Sequence, residues 1–430
     1  MESQEKQAMA IKNPTTMAKE GKQDILWIFG LYGTAIGAGT LFLPIDAGLH
    51  GLMPLVIITI LAFPMTYYSH LALCQFVLSG ASSKKDITAV VNEHFGTIFG
   101  HLLTFLYFFS IYPILLMYSV AITNTTESFI THQLGLPAPP RALLALILIS
   151  GLMVIIRFGQ QSIVKFMSCL VYPFVATLMF LAIHLIPHWN GSMFHQAPSI
   201  QQGSHHPLMT LWLVIPVMVF SFNHSPIISS FAVSQKQRFG IHADKKCARI
   251  LKISHILMVC TVMFFVFSCV FSLSPQDLIL AKQENISILS YLANHFHTSF
   301  IAWVAPIIAF VAVAKSFLGH YLGASEGLAG LVNNYARARS KTCCSKILKN
   351  SIEGFIVVTC CITATLNPNI LKMIESLGGP VIAMILFLMP MYAMAKVPAM
   401  KKYKNPLIHG FITIMGIIAI SAIVYGLFND

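Results

Sequence analysis

The chain has 430 residues, 56% of them hydrophobic and 10% charged, with a mean hydropathy of +0.74. That profile excludes an ordinary soluble domain and a disordered chain. The net charge of +12 is spread over separate short loops. It therefore reads as a membrane-topology signal rather than a nucleic-acid patch.

Apolar runs of about 20 residues, the length that crosses a bilayer core, recur along the chain. Eleven are read, near 25–48, 52–79, 98–130, 141–158, 163–187, 208–234, 253–273, 299–332, 351–367, 377–395 and 406–428. Residues 1–23 are polar, lack a signal-peptide core and are expected to be a cytoplasmic tail. Residues 24–395 then form a ten-helix transport core, and 396–430 a cytoplasmic loop with an eleventh helix. Of the 27 Lys and Arg residues, 23 lie on one side if the N-terminus is cytoplasmic, which places the C-terminus outside. All nine cysteines then fall in spans or cytoplasmic loops, so no structural disulfide is expected; the adjacent Cys343 and Cys344 lack metal-ligand spacing.

Span 1 is interrupted at its middle. Gly33, Gly37 and Gly39 fall within seven residues, followed by Pro44. One reading is a small-residue packing face. The other is an unwound hinge, since Gly37-Ala38-Gly39 can take backbone angles closed to bulkier residues. The half-helix starting near Thr40 would then turn free N–H groups and a positive dipole end into a cavity, enough to bind a carboxylate. Both readings can hold together. Asp46, at the outer end of this span, is expected at a gate or the surface. In span 3, Tyr107, Tyr112 and Tyr118 suit a cavity wall as well as ordinary packing. The outer stretch 188–207 carries His188, His195, His205 and His206 without metal-ligand spacing and reads as a solvated loop.

Span 6 is interrupted too. Ser221-Phe222-Asn223-His224-Ser225-Pro226 sets four polar side chains at membrane depth, and the proline removes a donor. Carbonyls near Ser221 and Phe222 could accept from an ammonium, while Asn223, His224 and Ser225 could read a short polar side chain. The plainer reading is a polar interhelical contact, and a lone histidine such as His224 is more often structural. Paired breaks five spans apart suggest an inverted repeat, because an odd number of spans makes the second half enter from the opposite side. Broken backbone survives in a bilayer only where it lines a cavity or is buried in protein.

Residues 274–298 are amphipathic and expected to pack over the outer face as a partial lid. Span 8 carries Lys315 near its centre, next to Ser316. An intramembrane charge costs roughly 2.5–3.5 kcal/mol on insertion scales and is a functional hypothesis by default. Lys315 could bind and release a proton, or be a fixed cation saturating carbonyls at the helix break. His320 and Glu326 follow toward the cytoplasmic end as a proton route or a polar helix end.

Four segments together carry a resemblance: Gly33-Thr34-Ala35-Ile36-Gly37-Ala38-Gly39 with Leu43-Pro44, Phe220-Ser221-Phe222-Asn223 with Ser225-Pro226, the run from Leu289 to Phe296, and Lys315-Ser316-Phe317 with Gly319-His320-Tyr321-Leu322-Gly323. From about residue 24 to the C-terminus the chain resembles the bacterial hydroxy/aromatic amino acid permease family, in its serine/threonine branch. The resemblance implies eleven spans, a five-plus-five inverted repeat and proton-coupled uptake of serine or threonine across a bacterial inner membrane.

The expected fold is therefore an all-α integral membrane protein of eleven transmembrane helices, a five-plus-five inverted repeat with helices 1 and 6 broken. The expected function is a symporter working by alternating access. The substrate carboxylate would meet the backbone of Gly37, Ala38 and Gly39, and its ammonium the carbonyls near Thr34, Ala35, Ser221 and Phe222. Its hydroxyl would be read among Thr40, Asn223, His224 and Ser225. Lys315 and Ser316 are the coupling candidates, with a proton as the co-transported ion rather than sodium and no cofactor. An aromatic amino acid is the nearest rival substrate. A passive channel is disfavoured because the polar residues cluster at one depth. No metal-spaced set and no nucleophile–base motif points to an enzyme.

Overall fold

The computed structural model describes residues 14–190, 192–194, 207–295, 299–339, 344–373 and 379–429. His195, His205 and His206 of the outer stretch, Cys343, and residues 1–13 of the expected tail lie outside them. Regular structure among the described residues is entirely helical. Among the described residues seven helices are long and apolar enough to cross a membrane, or eight if one bent pair counts as a single span. The difference from eleven lies in short or interrupted pieces. One apolar helix has 17 residues, and Leu208–Ser221 and Val381–Lys396 are shorter apolar helices. The outer wall is apolar, with Ile60, Ile98, Ile147 and Leu407 largely exposed, as contact with lipid requires.

The first span is the bent pair. Helix α1 (Pro14–Ala35) and helix α2 (Ala38–His50) meet at 50°. Helix α1 begins within the stretch expected to be tail. Helix α3 (Leu52–Leu78) returns across the layer. Helix α4 (Ile87–Ser128) starts at Asp86, whose carboxylate accepts from the Ala89 N–H at 2.9 Å. It bends at Gly96, where φ is 76°, a conformation that glycine adopts without strain. Helices α5 (Arg141–Arg157) and α6 (Gln160–His184) follow.

The second broken element is α7 (Pro207–Ser221) and α8 (Ser225–Phe239), followed by α9 (Ala243–Ser272). The amphipathic stretch forms two short helices, α10 (Pro275–Gln283) and α11 (Ile288–His295). Helix α12 (Ser299–Ala338) precedes α13 (Ser345–Leu366), α14 (Ile370–Met373), α15 (Gly379–Ala383), α16 (Met389–Lys396) and α17 (Pro406–Asn429).

Helix α12 holds the centre together and packs along much of α4. Its glycines face close neighbours: Gly319 meets Thr34, Gly323 meets Pro226 and Ile111, and Gly327 meets Phe108. A Cβ at Gly323 would stand 2.8 Å from the Pro226 Cα. A stripe of small residues lets backbones approach where lipid supplies no hydrophobic drive between helices. The stripe thus clamps α12 against both broken elements.

Candidate functional site

At the first break the helical ladder of α1 ends with Ile36 N–H donating to Tyr32 O at 3.1 Å. It resumes with Leu41 N–H donating to Gly37 O at 3.1 Å. No side chain caps the start of α2, so its first amides and its positive dipole end point into the protein interior. On the other side of the break, Ser316 Oγ lies 2.9 Å from Ile36 O and 3.3 Å from Gly33 O and shares its one hydrogen between them. A Cβ at Gly37 would stand 2.2 Å from that hydroxyl and 2.7 Å from the Tyr118 ring. Glycine is therefore required here by space alone.

At the second break Asn223 N–H donates to Phe220 O at 3.1 Å, and Ile227 N–H donates to His224 O at 3.2 Å. Between them, Asn223 Oδ1 accepts from the Ser225 N–H at 3.0 Å. Asn223 Nδ2 has no hydrogen-bond partner.

The two breaks touch. Ser221 Oγ donates to Gly39 O (2.9 Å) or to its own helix at Val217 O (2.7 Å). Thr40 Oγ1 donates back to Ser221 O at 3.1 Å. A Cβ at Gly39 would be 2.6 Å from the Phe220 ring and 2.9 Å from the Ser221 Cα, so no larger residue fits at this crossing. Thr34, Ala35, Thr40, Ser221, Phe222, Asn223, His224, Ser225, Lys315 and Ser316 are all buried. Gly37 and Gly39 are buried with them.

Some groups are engaged differently from expectation. Ser221 O accepts from Thr40, and Phe222 O accepts from His224 Nδ1 at 3.0 Å. Two of the four carbonyls foreseen for an ammonium thus have partners, because a sealed interior satisfies its polar groups internally. The Thr34 hydroxyl donates to Gly30 O at 3.0 Å, within its own helix. Lys315 does not saturate break carbonyls. Its Nζ lies 3.6 Å above the Phe174 ring of α6 and has no hydrogen-bond partner. Asp46 is buried rather than on the surface, with an oxygen 3.8 Å from His50 Nδ1. Tyr118 lines the first break, Tyr107 is buried with its hydroxyl unpartnered, and Tyr112 stacks between Phe108 and Phe355. His320 Nδ1 bonds Ser316 O at 2.9 Å, while Glu326 Oε1 has no partner.

Sequence reading missed His70 and His255, whose only signal is an ionisable residue inside an apolar span. The structure gathers them with His224. The rings of His70 and His224 stack at 3.8 Å and 5°, and the His255 ring lies 4.7 Å from His224 and 5.4 Å from His70. Their ring nitrogens lie within 4.8 Å of one another. The parallel His70 and His224 rings hold their in-plane lone pairs in two separate parallel planes, and one ion cannot lie in both. The three therefore do not converge on one metal at the roughly 2.0–2.1 Å that a zinc–imidazole bond needs.

Comparison with known proteins adds the following. Residues 26–428 match the tryptophan/tyrosine permease family. The serine transporter SdaC of Escherichia coli (strain K12) is 61% identical over 411 residues, covering 95% of this chain and 96% of that protein. The threonine/serine transporter TdcC of Edwardsiella piscicida is 46% identical over 426 residues, covering 94% and 96%. Among solved structures, a manganese transporter from Eremococcus coleocola, crystallised with an aromatic bis-isothiourea substituted compound, superposes with a TM-score of 0.59 at 13% identity. That likeness covers 98% of this chain and 90% of the other, and it bears on the fold alone.

Proposed function

The chain belongs to the tryptophan/tyrosine permease family, and from that membership we propose that it imports serine or threonine with a proton across a bacterial inner membrane. One observation carries this reading: two interrupted helices meet through Ser221 Oγ on Gly39 O and Thr40 Oγ1 on Ser221 O, deep inside the protein. The start of α2 favours a carboxylate at the backbone of Gly37, Ala38 and Gly39. The ends of α1 and α7 favour an ammonium at the carbonyls of Thr34, Ala35, Ser221 and Phe222. The last two become available when Thr40 and His224 let go. Asn223, with Nδ2 unpartnered, reads the substrate hydroxyl together with Thr40, His224 and Ser225.

Crowding at Gly37 and Gly39 by Tyr118, Ser316 and Phe220 favours a small substrate over an aromatic one. The two relatives above, named as serine and threonine/serine transporters, support the same choice. Lys315 supports a proton rather than sodium: a buried ammonium packed on Phe174 supplies the charge, and fills the volume, that a bound cation would otherwise provide. The two halves rock about the fixed site and expose it to each side in turn, in the manner of inverted-repeat transporters. One proton entering with a neutral zwitterion gains about 2.3 kcal/mol per 100 mV. That supports roughly fifty-fold accumulation per 100 mV.

Competition in proteoliposomes tests the substrate. Unlabelled serine and threonine should displace labelled serine, while tryptophan and tyrosine should not. Displacement by tryptophan at equal concentration rejects the small-substrate assignment. Uptake with and without sodium at fixed pH tests the ion, and strict sodium dependence removes the proton.

A further inference from the structure

We propose that His70, His224 and His255 together form the binding site of the co-transported proton, and that its occupancy releases the backbone of the second break. The proposal rests on the proton-coupled reading above and adds where the proton sits.

The hydrogen bonds fix the state of each ring. His70 Nδ1 faces Thr66 O at 2.7 Å, His224 Nδ1 faces Phe222 O at 3.0 Å, and His255 Nδ1 faces Leu251 O at 2.7 Å. A carbonyl only accepts, so every Nδ1 carries the hydrogen and every Nε2 presents a lone pair. His70 Nε2 accepts the backbone N–H of His224 at 3.2 Å. The Nε2 atoms of His224 and His255 have no partner. Three buried acceptors therefore stand together with one amide hydrogen among them. Buried acceptors left unpaired are costly, and two of these three have no donor.

The surroundings decide which donor. Around the cluster stand the carbonyls of Thr66, Phe222 and Leu251, the Asn223 side chain within hydrogen-bonding reach of His70 and, from α12, His320. Tyr67 of α3 meets the His255 ring edge-on at 5.8 Å. With no carboxylate among these groups and the rings stacked, a divalent cation is poorly served. A proton needs a single lone pair, and the imidazolium it forms keeps its Nδ1 bond to a carbonyl. A second proton is opposed by like charge at this distance.

The coupling follows from competition for one atom. His70 Nε2 can hold the His224 amide hydrogen or a proton, not both. A proton entering the cluster can be taken up by the open nitrogens of His224 and His255. On passing to His70 it displaces the His224 amide, and the break loses its tie to α3. Release of the proton to the cytoplasm restores that tie.

Proton and serine entry are measured together in proteoliposomes, with an internal pH dye and labelled serine, for the wild type, His70→Gln and His255→Gln. Glutamine at 70 offers an oxygen to the His224 amide but does not titrate, so it separates holding the backbone from carrying the proton. The wild type is expected to carry about one proton per serine, and both variants a ratio at least about fivefold lower. Variants that keep the wild-type ratio overturn the proposal and leave the symport reading standing. A wild type that moves no protons removes both. A second measurement needs no variant: nitrogen NMR of histidine-labelled wild-type protein should show one of the three Nε2 positions gaining a proton on acidification. Three imidazoles that stay neutral from pH 8 to pH 5, about 1.5 units below the free value, overturn the proposal. So does a stoichiometric transition metal bound to the purified wild type.

Discussion

Gly37 occupies a position with no room for a methyl group. An alanine Cβ there must push Ser316 away, since it would lie 2.4 Å from the Ser316 Cβ. The displaced hydroxyl would abandon Ile36 O and Gly33 O. Leaving a buried carbonyl unpaired costs about 1–3 kcal/mol, which corresponds to roughly 5- to 150-fold in an equilibrium constant. Gly37→Ala is therefore expected to depress serine uptake by that order, with the amount of protein in the membrane within about twofold. Transport assays normalised to membrane content check this, and full activity in that variant would show that the crossing tolerates a wider hinge. The glycine cluster and the Ser-Phe-Asn-His-Ser-Pro run were legible in the sequence because both are wrong for an uninterrupted apolar helix. Their partners were not. Ser316 reaches Ile36 across 280 positions, and no periodicity encodes which helix a hydroxyl faces. His70 and His255 each look like a lone histidine in an apolar span. Only the relative rotation of α3 and α9 turns them toward His224.

At the scale of elements, α10 and α11 are the part of the fold that hydrogen bonds rather than lipid hold in place. Ser274 and Asp277 form a reciprocal cap at the start of α10, and Tyr291 of α11 donates to Asp277 at 2.8 Å. Leu278 of α10 packs where a Cβ on Gly48 would fall, so this pair rests directly on α2, the second half of the first break. The amphipathic pattern of residues 274–298 was enough to predict a cover. It did not reveal that one carboxylate ties both pieces together. Burial pushes the Asp277 carboxyl up, but hydrogen bonds from Ser274 and Tyr291 outweigh it and hold the group below the usual carboxylate range. A depressed carboxylate contributes stability that is fully present above the unfolded value of about 3.9 and is lost as pH falls through the lower folded value. Hydrogen exchange of α10 and α11, corrected for intrinsic rates, should therefore accelerate as pH drops below about 4. Asp277→Asn should already exchange faster at neutral pH and show no further acid step. Equal protection at pH 6 and at pH 3, which bracket that value, would show that Asp277 does not fasten the cover.

The whole molecule has an orientation, and its basic loops commit to one. Arg337 lies in the last turn of α12 and Arg339 just beyond it, Lys346 and Lys349 lie at the start of α13, and Cys344 lies exposed between them. By the excess of basic residues in such loops, Cys344 is expected to face the cytoplasm. It is also a reactive probe. The Ile347 and Lys346 amides at the start of α13 hold its thiol below the usual thiol range, and the thiolate is the nucleophile. In a variant whose other cysteines are replaced by serine, a membrane-impermeant maleimide should modify Cys344 in inside-out vesicles and leave it untouched in intact cells. Because the thiolate is the reacting form, the amides that favour it should make Cys344 label faster at pH 7 than an unperturbed exposed thiol. The same orientation would send the first break's α2 and the α10–α11 cover to the outer face, with substrate expected to enter past the cover and leave toward the Lys- and Arg-rich side. Modification of Cys344 from outside intact cells would invert the molecule, turn the cover into a cytoplasmic gate and reverse the direction of transport proposed here.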